Sequence, residues 1–355
     1  MDLKNLDKHI DTLAKLDETE SPVISCYLDV TGNYFDYFNE RIRLIEKNIP
    51  MDERQPFDEA ADKIYFHLKS EIHSEAKGTA IFARGGENPF FLPMQFRVPL
   101  ENSIMMTSTP VIYPLVQLKD TYRSFVVVIS TEESVRILGV NLGEITESIW
   151  NERPELRKRV GREWTKEHYQ NHREDRRDKF IKEKIKVIDQ LMSKTQYSHL
   201  ILAGNSTTTA RLEKALPKHL QEKLIDSVSI DEKARTENVI ESTLASFIEQ
   251  EQKESKEAVE MLKREINTHC LAVVGADDAL NALEIGQVDM LIIDQDFKDE
   301  TAKEEMIKMA VNTGTKIEFV SDSVTLRQLG GVGCLLRYRI PGQYESERLC
   351  WGNMS

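Results

Sequence analysis

The chain has 355 residues, 40% apolar and 30% charged, with a formal net charge of −13. That length suits two or three domains of about 150 residues each, and the composition is that of a globular protein rather than a disordered one. The acidic balance excludes a general nucleic-acid coat. No apolar run approaches the roughly 20 residues that cross a bilayer, and the opening Met1-Asp-Leu-Lys is no signal peptide, so a cytoplasmic protein without a membrane partner is expected.

Leu3, Leu6, Ile10, Leu13 and Leu16 recur at helical spacing, and the alternation of Ile24, Cys26, Leu28 and Val30 reads as a strand. Phe35, Phe38, Ile42 and Ile45, then Phe57, Ala61, Ile64, Leu68 and Ile72 after the Pro50 break, predict a helical hairpin. Strand-like runs follow at 78–83, 90–96 and 111–118, where Pro93, Pro110 and Pro114 suggest edge positions or bulges. A second unit opens with a three-strand meander over 125–130, 134–140 and 144–150. It continues through a basic loop, a helix over about 165–192, a strand at 199–203, another helix and a strand at 224–230. Antiparallel strands followed by strand–helix alternation predict a mixed sheet with helices on its faces. Residues 236–266 read as one long helix whose later half, from Glu249, looks like a solvated connector. A third unit follows: strands at 270–274, 288–293, 316–320 and 334–340, with helices at 276–285 and 302–311. The expected class is therefore α/β (α+β multi-domain). The expected domains are a mixed α/β domain over 1–120, a middle domain over 121–265, and a small α/β/α sandwich over 266–355.

The exception to the acidic composition is the stretch from Arg153 to Lys186, with thirteen Lys or Arg against seven Asp or Glu. It begins Arg153, Arg157, Lys158, Arg159, Arg162 and continues through Lys166, Arg173, Arg176, Arg177, Lys179, Lys182, Lys184 and Lys186. One cationic patch on an acidic molecule pulls a polyanion to one face while the rest repels it. The bland alternative is a solvated helix laced with neighbouring opposite charges. Trp164, within the basic loop, can stack on a nucleic-acid base or anchor the loop to its own domain.

Other constellations read as structural. His168 and His172 lie four apart, but the surrounding cations make a surface pair the better reading than a metal site. The Gly204-Asn-Ser-Thr-Thr-Thr junction reads as a helix cap, lacking the Gly-Lys pair of a nucleotide loop. Asp277 and Asp278 read as a cap for the next helix. Cys26, Cys270, Cys334 and Cys350 form no Cys-x-x-Cys pair. No metal and no cofactor are expected.

The most specific pattern is Leu271-Ala-Val-Val-Gly, then Ala279-Leu-Asn-Ala-Leu-Glu-Ile-Gly-Gln-Val, then Met290-Leu-Ile-Ile, with Leu329-Gly-Gly-Val-Gly-Cys-Leu-Leu-Arg-Tyr later. It resembles the C-terminal domain of archaeal and eukaryotic class 1 release factors and Pelota. The middle unit, ending Leu200-Ile-Leu-Ala-Gly, matches that superfamily in order of elements, and Pro22-Val-Ile-Ser-Cys-Tyr-Leu resembles its first N-terminal strand. The resemblance implies a ribonuclease-H-like middle domain and is greatest to the bacterial branch, whose loop often reads G-W-S-Q-x-R-Y-Q-x-H. Here the stretch is Arg162-Glu-Trp-Thr-Lys-Glu-His-Tyr-Gln-Asn-His: Trp164, Tyr169, Gln170 and His172 match, and Lys166 stands where the pattern has glutamine. That glutamine corresponds to the Gly-Gly-Gln tip that places water at the ester of peptidyl-tRNA. An ammonium has three donors and no lone pair, so Lys166 cannot supply the amide's acceptor, though it can hold a phosphate. The tip of the N-terminal hairpin, Asn48-Ile-Pro-Met-Asp-Glu, has neither the Asn-Ile-Lys-Ser loop nor the cysteine motif of codon-reading factors.

Three readings follow. In the first, the protein engages ribosomes or tRNA through Arg157, Lys158, Arg159, Arg162, Trp164, Lys166, Arg173, Arg176 and Arg177, without ester hydrolysis and without reading stop codons. In the second it is an active peptidyl-tRNA hydrolase and ribosome-rescue enzyme, with Gln170 as the weak catalytic candidate. In the third it is an interaction module whose acidic C-terminal domain recruits a protein partner.

Overall fold

The computed structural model describes residues 6–19, 21–86, 88–131, 134–142, 144–152, 166–194, 197–230, 236–268 and 271–338. It is mixed α/β with three sheets. By contact density the chain divides into two units: Tyr122–Gln250, and Met1–Thr121 together with Glu251–Ser355.

The first of three stretches comprises α1 (Leu6–Ala14), β1 (Val23–Asp29), α2 (Tyr34–Glu46), α3 (Arg54–Ser70), β2 (Gly78–Arg84), β3 (Phe90–Phe96), β4 (Ser103–Thr107) and α4 (Tyr113–Thr121). Its antiparallel sheet has the order β3-β2-β1-β4. Ile24, Cys26 and Leu28 of β1 pack with Phe38 of α2 and Phe57, Ile64 and Leu68 of α3. The intervening residues are buried too, and their polar groups are satisfied: Tyr27 Oη donates to the Val111 carbonyl at 2.6 Å, and Val111 N–H donates to Ser25 Oγ at 3.0 Å. Pro93 lies on the edge strand β3, where a missing N–H costs no ladder bond.

The expectation of a strand over 111–118 is overturned: the fourth strand is β4, and residues from Tyr113 onward are helical. Pro114 sits in the first turn of α4, where its fixed φ fits and its absent N–H costs nothing. The cap is supplied from far along the chain. Glu304 accepts from Ile112 N–H at 2.8 Å and from Tyr113 N–H at 3.0 Å.

The second unit contains β5 (Phe125–Ser130), β6 (Ser134–Asn141), β7 (Glu144–Glu152), α5 (Lys166–Lys194), β8 (His199–Gly204), α6 (Ser206–Ala215), α7 (Lys218–Gln221) and β9 (Leu224–Ser229), followed by the start of α8 (Thr236–Thr268). The sheet order is β7-β6-β5-β8-β9, antiparallel from β7 to β5 and parallel from β5 to β9. Period-2 alternation sorts its side chains between two cores. Val126, Val128, Leu200 and Leu202 meet α5 and α6 on one face. Phe125, Val127, Ile201 and Ala203 meet Val239, Ile240 and Phe247 of α8 on the other.

The last stretch has β10 (Ala272–Val274), α9 (Ala276–Glu284), β11 (Val288–Asp294), α10 (Glu300–Thr313), β12 (Lys316–Val320), α11 (Val324–Gln328) and β13 (Val332–Leu336), with sheet order β10-β13-β11-β12. The later half of α8 is no solvated connector. Ala258, Val259 and Leu262 are buried against Ile292, Val320 and Leu335, and Ser255 Oγ donates to buried Glu318 at 2.7 Å. Gly286 (φ 69) takes the left-handed position that closes α9, with Gln287 N–H donating to the Ala282 carbonyl. Gly275, not Asp277 or Asp278, is the N-cap of α9; the two acids stand in its first turn. Among the described residues no helix is long and apolar enough to cross a membrane.

Candidate nucleic-acid interface

Helix α5 is fixed to its sheet by Phe180, Ile188, Leu191 and Met192, with Ile181 and Ile185 packed alongside. Phe180 is the first described side chain of α5 in that core. Before it, residues 166–177 continue the helix toward its N-terminus. The backbone of α5 thus carries Lys166, Gln170, Arg173, Arg176 and Arg177 on its N-terminal half, their side chains lying outside the described set. The same holds for the side chains of His168 and His172. Arg157, Lys158, Arg159, Arg162 and Trp164 lie outside the described residues, in the connection from edge strand β7 to α5.

Where side chains are described, the basic run divides into an inward and an outward set. Lys184 faces in: it is 4% exposed, donates to Ser130 Oγ at 2.9 Å and to the Thr131 carbonyl at 3.3 Å, and its ammonium lies 4.4 Å from the Phe180 ring centre. Within the basic run, this lysine is therefore withdrawn from the surface, its donors committed to the end of β5. Lys179, Lys182 and Lys186 are exposed.

Tertiary packing adds cations that local sequence reading missed. Beside α5, on the same side of the sheet, α6 and α7 expose Arg211, Lys214 and Lys218. His219 of α7 bridges to Asp189 of α5 at 2.8 Å. Arg211 and Thr208 share a small cleft with Ser130, Thr131, Phe180, Ile181 and Lys184, of about 30 Å³, room for one water. The only sequence signal for this extension is the exposed-face spacing of 211, 214 and 218, and it points to α5 only once the helices are packed. Helix α6 begins with the cap expected from sequence: Asn205 Oδ1 accepts from Thr207 N–H at 2.9 Å. Across the sheet, the α8 face exposes Glu241 and Glu249. Among the described side chains, α5–α7 expose Lys179, Lys182, Lys186, Arg211, Lys214 and Lys218 against Asp178, Glu183, Asp189 and Glu213, a small cationic excess, whereas α8 in this unit exposes Glu241 and Glu249.

Residues 110–247 match the family described as bacterial archaeo-eukaryotic release factor family 10, and residues 252–340 match eRF1 domain 3. The Pelota homologue of Methanococcus aeolicus is 31% identical over 153 residues, 40% of this chain and 44% of the relative. That of Pyrococcus furiosus is 27% identical over 185 residues, 48% and 52% respectively. The chain is a bacterial member of the archaeo-eukaryotic release factor and Pelota superfamily. This release-factor homologue spans about half the length of the curated relatives it matches. Among solved structures it is similar to a ribosome-bound archaeal Pelota at TM-score 0.45 and 14% identity, covering 94% of each chain. It is similar to S. cerevisiae Dom34 at TM-score 0.44 and 13% identity, covering 75% of this chain and 81% of that one.

Proposed function

We propose that this release-factor homologue engages ribosomes or tRNA through the cationic face of its middle unit, and does so without ester hydrolysis or stop-codon reading. The observation that carries the reading is the basic run from Arg153 to Lys186, thirteen cations against seven acids, which leads into and along α5 beside Arg211, Lys214 and Lys218. Among the described side chains, exposed lysines and arginines on α5, α6 and α7 outnumber exposed acids six to four, and α8 exposes Glu241 and Glu249 on the opposite face. On a chain of net charge −13, such a face orients the molecule toward a phosphate backbone at encounter. The basic loop feeds directly into it. Arg157, Lys158, Arg159, Arg162 and Lys166 supply phosphate contacts at the head of α5, Arg173, Arg176 and Arg177 continue them, and Trp164 stacks on an unpaired base.

The absence of hydrolysis rests on Lys166, the first residue of α5. An ammonium donates three bonds and accepts none, so it grips phosphate but cannot orient a water as an amide does. The hairpin tip between α2 and α3 presents Asp52 and Glu53, a poor surface for messenger RNA. A second reading is favoured by one feature: Gln170 lies one turn after Lys166 on the same helix, and its amide could serve in place of the missing one.

Peptide release from stalled ribosome complexes carrying peptidyl-tRNA separates the two. The proposal expects no release above the spontaneous rate with the unmodified chain. Release that Gln170→Ala abolishes would establish the second reading instead.

A further inference from the structure

A groove of about 1000 Å³ runs through the unit formed by 1–121 and 251–355, and its walls have a definite construction. One wall is α2, through Arg41, Leu44 and Ile45, with Asn48 and Ile49 of the turn that follows it. The other is α10, through Glu300, Glu304, Glu305, Lys308 and Met309. Between them every residue from Ile104 to Thr109 lines the space. Successive strand residues point to opposite faces of a sheet, so a consecutive run can line one groove only if the groove follows the strand's open edge. β4 is that edge: among the described residues it pairs with β1 alone.

An open edge between two helices leaves room for one more strand. The floor is soft and apolar: Met105, Met106, Met309, Ile45 and Ile49, with Leu44 45% exposed at the rim. Methionines adapt to varied side chains. The ionic groups lean one way. Glu304 is committed to Ile112 and Tyr113 N–H, and Lys308 to Glu304 and to Thr109 Oγ1. Glu18, Glu300 and Glu305 remain exposed around the opening, against Arg41 as the one further cation among the described residues that line it.

We propose that this groove binds an extended segment of a partner protein in which apolar residues alternate with lysine or arginine, added to β4 as a fifth strand. Backbone bonds to the β4 edge provide the affinity; the methionine floor and the α10 carboxylates provide the selection. The inference is independent of the nucleic-acid reading, since it uses another sheet and the opposite charge.

The test is selection from a displayed library of random peptides, about six residues long, on the full chain. Enriched peptides are then measured against wild type and a Glu300→Lys/Glu305→Lys variant. Both sites are exposed, and urea unfolding of the variant checks that it folds as wild type does, since Glu300 also faces the charge of Lys303. The expected result is enrichment of alternating apolar–basic peptides that lose about tenfold in affinity on the variant and slow amide exchange at residues 103–107. No enrichment, peptides without basic residues, unchanged affinity on the variant, protection elsewhere than β4, or self-association of the chain through this edge would each overturn it.

Discussion

Lys303 is 3% exposed, and its ammonium donates to the Gln295 carbonyl at 3.0 Å while lying 4.5 Å from the Tyr113 ring centre. Burial holds it below the ordinary lysine value of 10.5, outweighing the pull of Glu300, Asp294, Asp296 and Glu101. A depressed folded value means that the unfolded chain binds the proton more readily. This residue's contribution is therefore most favourable above 10.5 and is lost as pH falls through the folded value. Urea unfolding at a series of pH values should show wild type gaining stability over Lys303→Met as pH rises toward 10.5. A difference that stays flat or shrinks would contradict the burial argument. Cys26 and Cys334 behave as packing residues: burial pushes the Cys334 thiol up to about 12 and the Cys26 thiol up as well, so neither offers a thiolate near neutrality.

At the scale of elements, what sequence revealed depended on whether the cause was local. The alternation in β5 and β8 and the period of α3 carry their own signal, and the Asn205 cap and the left-handed Gly286 follow from residue chemistry. Helix α4 was misread as a strand because its N-terminal cap, Glu304, is remote in sequence. The later half of α8 was misread because its charged stretch hides a narrow apolar stripe, Ala258, Val259 and Leu262, that only the third sheet makes useful. Of the candidate site, the basic run was legible, but the inward turn of Lys184 and the arrival of Arg211 and Lys218 were not, since both depend on how α5 and α6 pack. Leu262 is fully buried, so Leu262→Ala should cost about 2–5 kcal/mol in thermal or urea unfolding. A solvated connector would lose less than about 0.5 kcal/mol.

For the molecule as a whole, a formal net charge of −13 opposes binding to a polyanion, so the proposed interface depends on the local basic run of residues 153–186. Sedimentation of the full chain with ribosomes across a salt series tests this most directly, each phosphate contact adding about 0.9 to the slope of log affinity against log salt. Binding should weaken steeply with salt, and neutralising Arg157, Lys158, Arg159 and Arg162 together should both lower affinity and flatten the slope. Association that ignores salt, or that survives this neutralisation unchanged, would contradict the proposed interface.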